Sequence, residues 1–154
     1  MVSQQNSIRR YLYEHSVSDR GYLIIPFVFG IASELIYSYT LLSELGHQGK
    51  FHKFENPAKL YSSSINQIIE VAKQHLKQYS DVESNRNYFQ YRYTYLQHLI
   101  IIHEVNDRCF YDHYLPDKLN NIAAPKLFKS ITDCVNWVKH GLERNYIGYQ
   151  EIGE

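Results

Sequence analysis

Two stretches of this chain carry the same order of features, and that recurrence limits the folds open to it. Tyr37 to Leu76 and Leu96 to Leu142 each open with an apolar run, Tyr39–Glu44 and His98–His103. Each continues through a polar turn into an aromatic run, Lys50–Phe54 and Arg108–His113, then a proline, Pro57 or Pro116. Each closes on an amphipathic helical pattern. Shifted by 66 positions, Ser64 falls on Ser130, Ile65 on Ile131, Ile68 on Cys134, Ile69 on Val135, Ala72 on Val138, Lys73 on Lys139 and Leu76 on Leu142. These apolar positions share one face of a 3.6-residue helix in both copies. The aromatic runs align at a shift of 59, which leaves Asp117–Ala124 as extra residues, read as a loop insertion.

The expected fold is therefore α+β. Two repeated β-hairpin-plus-helix units, residues 21–79 and 86–143, share a largely antiparallel sheet with both helices on one face. The 154 residues suit a single domain spanning 1–154. The hairpin turns are placed at Gly46–Gly49 and Val105–Arg108, where Asn106-Asp107 tolerates positive φ. That register sets Leu42 opposite Lys53 and Ile101 opposite Asp112. Tyr22–Phe29 reads as a strand in which Pro26 marks an edge or a bulge. Tyr88–Tyr95 reads as another, with Phe89, Tyr91, Tyr93 and Tyr95 on one face. Ile8–His15 reads as a short helix. Ser62–Ser64 and Ser130 read as N-caps, Gly141 as the end of the second helix, and residues 145–154 as a loose tail.

Charge and composition exclude several classes. Sixteen basic and sixteen acidic side chains cancel, so attraction to nucleic acid would need a local patch. Tyr22–Ala32 is the longest apolar run, too short to span a bilayer, and the N-terminus lacks a signal-peptide pattern. No membrane partner is expected, and the cytoplasm is the default location. Cys109 and Cys134 make neither a disulfide framework nor a zinc site. None of the eight histidines has metal-ligand spacing, so no metal and no cofactor is expected. His103 and Asp112 fall as diagonal neighbours on one sheet face. Cys109, beside His103 and His113, has the makings of a nucleophile, but buried cysteine is more often a small hydrophobe.

The most distinctive segment is Arg86–Tyr95. Exposed tyrosines suit protein interfaces, and aromatic rings beside arginine also stack unpaired bases. Arg86, Tyr88, Arg92 and Tyr93 are the candidate binding residues, and no catalytic residue is assigned. The leading reading is a non-enzymatic adaptor or accessory subunit that binds a protein partner through an aromatic sheet face or edge. Second is a single-stranded RNA- or DNA-binding accessory protein of a ribonucleoprotein. Self-association is compatible with either. Arg92/His98, Arg108/His113, Arg9/His15 and Arg10/His15 resemble the Arg-x(4–6)-His signature of the HEPN ribonucleases. That resemblance implies RNA cleavage on a helical fold, which conflicts with the hairpins and ranks third.

Overall fold

The computed structural model describes residues 10–83 and 87–153, with side chains as far as Arg144. The chain is α+β, as its pattern indicates, with two antiparallel sheets rather than one. Strands β1 (Val17–Asp19), β2 (Tyr22–Ile31) and β3 (Leu35–Ser43) form the first sheet in that order. Helix α1 (Ile65–Tyr79) follows. Strands β4 (Arg92–Tyr95), β5 (His98–Val105), β6 (Arg108–Leu115) and β7 (Lys118–Asn121) form the second sheet, and α2 (Ile131–Gly153) follows it.

The sheets pack face to face, and each helix covers one outer face. Leu23, Ile25 and Leu42 of the first sheet meet Leu99, Ile101 and Tyr114 of the second, with Tyr13 and Phe89 in the same buried layer. Tyr22, Ile24, Tyr39 and Leu41 pack outward on Ile68, Ile69, Ala72 and Leu76 of α1. Ile100, Ile102, Cys109 and Tyr111 pack outward on Cys134, Val138 and Leu142 of α2. The layers run α1, sheet, sheet, α2. This corrects the expectation of one shared sheet with both helices on one face. The physical reason is plain in β2 and β5. Tyr22–Ile25 and Leu99–Ile102 are unbroken apolar runs buried on both faces, which a single sheet with one solvated face does not accommodate.

The helix N-caps are as expected. Ser64 Oγ accepts from the Gln67 amide and Ser130 Oγ from the Asp133 amide. Lys73 lies outward, paired with Glu70 at 3.4 Å. The internal repeat is not confirmed: Ile69 is buried, whereas Val135 is half-buried at the edge of its cluster. Gly141 does not end α2, which runs on to Gly153 through the segment expected to be a tail. Ile8 and Arg9 lie outside the described residues, and only Tyr13–His15 forms a short 3-10 turn.

The two hairpin expectations part company. Ile101 does face Asp112, across a two-residue turn in which Asn106 and Asp107 have φ of 50° and 65°. The first hairpin is not formed. Leu42 pairs with Leu23, because β3 takes β2 as its partner. Residues 46–54 make a 3-10 turn and loop, and Phe51 plugs into the core beside Tyr22. Pro26 lies in the central strand, and the bulge falls between Val28 and Gly30. Asp117–Ala124 is not wholly a loop, since β7 lies within it.

Candidate functional site

The strand expected over residues 88–95 is shortened to Arg92–Tyr95, and this shortening shapes the site. Residues 88–91 turn away from the sheet. Tyr93 and Tyr95 still share a face, under α2, with Lys139 over both rings. Phe89 is on the other side, buried between the sheets, so the four aromatics do not line one face.

Each candidate binding residue has a distinct fate. Arg86 lies outside the described residues. Arg92 turns its guanidinium inward, donating to Ser16 Oγ at 3.2 Å, Ser16 O at 3.0 Å and Phe89 O at 2.8 Å. Those bonds tie the N-terminal segment and the 88–91 turn to β4. Tyr93 packs against the α2 core, its hydroxyl pushed well above the usual tyrosine range by burial. Tyr88 stays partly accessible. Its ring stacks on His103 at a centroid distance of 4.4 Å and meets Phe89 edge-on at 4.9 Å.

His103 is the centre of the arrangement. It is buried, with Tyr88 against its ring on one side and Phe110 at 5.0 Å. Its Nε2 lies 2.8 Å from Asp112 Oδ2, across the diagonal of the β5–β6 ladder. Asp112 Oδ1 accepts from Asn121 Nδ2 at 2.8 Å. Asn121 Oδ1 in turn accepts the amides of His113 and Ala123. A chain of polar contacts therefore runs from β5 through β6 to β7.

On one side of His103 opens a groove of about 580 Å³, lined by Tyr88, Gln90, Tyr91, Glu104, Val105 and Phe110 among others. Tyr91 is 43% exposed, Val105 53% and Phe110 36%. The groove exists because β4 is short. Beside β5, pairing stops where the Ile102 amide donates to Tyr91 O. Backbone groups of a strand point alternately to its two sides, so the next pair on that side belongs to Glu104, an exposed residue at the groove. This is a short stretch of sheet edge bordered by aromatic rings.

Among the described residues the other chemical candidates are not assembled. Arg92 faces the partner sheet while His98 shares the outer face with Ile100, and Arg108 and His113 are likewise on opposite faces of β6. Arg10 is paired with Glu14. Cys109 and Cys134 are buried and free, their thiols pushed up by burial, that of Cys134 to about 11. Cys109 and His103 lie on opposite faces of their sheet. Among the described residues no cluster of three or more His, Cys, Asp or Glu is arranged to hold a metal ion. None of the described helices is long and apolar enough to cross a membrane. Compared with family models, curated proteins and solved structures, the chain matches none.

Proposed function

We propose that this protein is a non-enzymatic adaptor or accessory subunit that captures an extended peptide segment of a partner protein in the Tyr88–Tyr91–Phe110 groove. The single observation that carries the reading is the edge of β5 at Glu104, unpaired among the described residues and bordered by exposed aromatic rings. Strand addition supplies main-chain hydrogen bonds for affinity, and flanking pockets supply side-chain specificity. Tyrosine and phenylalanine give large, rigid contact area at low entropic cost. His103, pinned by Asp112 and stacked on Tyr88, makes the groove floor stiff before anything binds.

Charge favours a peptide over a nucleic acid. Among the described lining residues, the carboxylate of Glu104 is the only group of fixed charge, and it repels phosphate. The guanidinium of Arg92 is taken up inside the fold. Selection of a displayed random-peptide library on the immobilised protein tests the reading. Recovered peptides should lose about 1–3 kcal/mol of affinity to Tyr91→Ala or Phe110→Ala, as interface aromatics do. Peptides indifferent to both substitutions, or single-stranded RNA binding more tightly than any peptide, would refute it.

A further inference from the structure

A second cleft, of about 410 Å³, opens on the other side of Tyr88 between the 46–53 loop and the β6–β7 end of the second sheet. One wall carries His47, His52 and Lys53, and the other carries Asp112, Asn120 and Asn121. The local structure fixes what the basic wall can do. The Ser43 amide donates to His52 Nδ1 at 3.0 Å, so the neutral ring carries its proton on Nε2 and is a hydrogen-bond donor at that atom. His47 meets His52 edge-on, with ring centroids 6.0 Å apart. Lys53 is exposed, and its backbone is held at φ 64° by donation from its amide to Leu41 O at 2.6 Å.

One ammonium and two imidazoles thus line one wall. Burial, then Lys53 and His47, hold the His52 imidazole below its ordinary range. Asp112 lies on the opposite wall, and the charges that act on His52 are those of Lys53 and His47. An ammonium beside an imidazole Nε2–H offers a charged and a neutral donor on one wall, which suits an anionic acceptor.

We infer that this cleft is a binding site for a small oxyanion, a carboxylate or a phosphate, held by His47, His52 and Lys53. Asn120 and Asn121 and the rings of Tyr88 and Tyr114 form the wall against which the remainder of such a ligand would rest. Asp112 on that wall limits the charge of the ligand at its far end, so the anionic group is expected at the basic end alone. The site is distinct from the groove beyond His103 and does not depend on peptide binding there.

The test is an NMR titration of the full chain with inorganic phosphate and, separately, with acetate, each against sodium chloride at matched ionic strength. An anion that accepts from the His52 Nε2–H should shift the His52 ring resonances saturably, with Nδ1 still accepting from the Ser43 amide. Lys53→Ala should weaken binding about tenfold, as loss of one charge-assisted hydrogen bond does. Lys59→Ala, outside the cleft, should leave it unchanged. Saturation by one anion and not the other would identify the head group. His52 ring resonances that neither anion moves beyond the chloride control, or equal effects of the two lysine substitutions, would overturn the proposal.

Discussion

His103 on β5 and Asp112 on β6 are joined at 2.8 Å across one diagonal of their hairpin, and that bond divides the two clefts of the molecule. Neither residue is idle elsewhere: the imidazole stacks on Tyr88 and Phe110, and the carboxylate also accepts from Asn121. The pair therefore couples β5, β6 and β7 with the 88–91 turn.

Breaking that pair should be costly because its histidine is buried. Asp112→Ala leaves a buried ring nitrogen without its partner, and the loss should be about 1–3 kcal/mol. Asp112→Asn, which keeps a hydrogen-bonding oxygen, should lose less. Chemical denaturation of the three proteins measures both differences.

Core and surface positions of α1 should separate cleanly. Ile69→Ala removes a buried side chain from the α1 layer and should cost about 2–5 kcal/mol. Lys73→Ala should stay within about 0.5 kcal/mol, since its ammonium meets only an exposed glutamate. Ile101, buried between the two sheets, should behave as Ile69 does when truncated, which also tests the layer order.

The fold and the site were legible to different depths, and the differences have local causes. The β5–β6 hairpin was readable because Asn106-Asp107 accepts positive φ at both turn positions, which fixes Ile101 opposite Asp112 and brings His103 within reach of that carboxylate. The first unit was misread because Phe51 looks like its counterpart Phe110, although it serves as a core plug under α1. The signal for two sheets was present in Tyr22–Phe27 and Leu99–Ile102, whose apolar character does not alternate. The groove was not readable. It depends on β4 beginning only at Arg92, where the guanidinium reaches Ser16, a contact 76 residues apart in the chain. The turn at Leu96-Gln97 also lacks a turn signature, yet both residues have positive φ.

Acid should destabilise the protein through a second histidine pair. His98 Nδ1 and His113 Nε2 lie 2.8 Å apart, so one ring must offer a lone pair to the other. Burial lowers both, and burial followed by the neighbouring His98 brings His113 down to about 4. The unfolded chain takes up these protons first, so stability is complete above the ordinary histidine range and falls as pH drops from about 6.5 towards 4. At pH 5 the loss from His113 should be about 2 kcal/mol relative to neutral pH. His113→Gln should flatten that part of the stability–pH curve, read by urea denaturation at several pH values.

The peptide-capture reading meets its most direct test in amide hydrogen exchange with a selected peptide bound at saturation. An added strand must use the open edge of β5, so the Glu104 amide should become strongly protected while the Tyr91 and Phe110 ring resonances shift. If protection and shifts fall instead on the exposed β2–β3 tip, around Phe29, Ile31 and the stacked Tyr61, with Glu104 unchanged, the groove is not the binding surface.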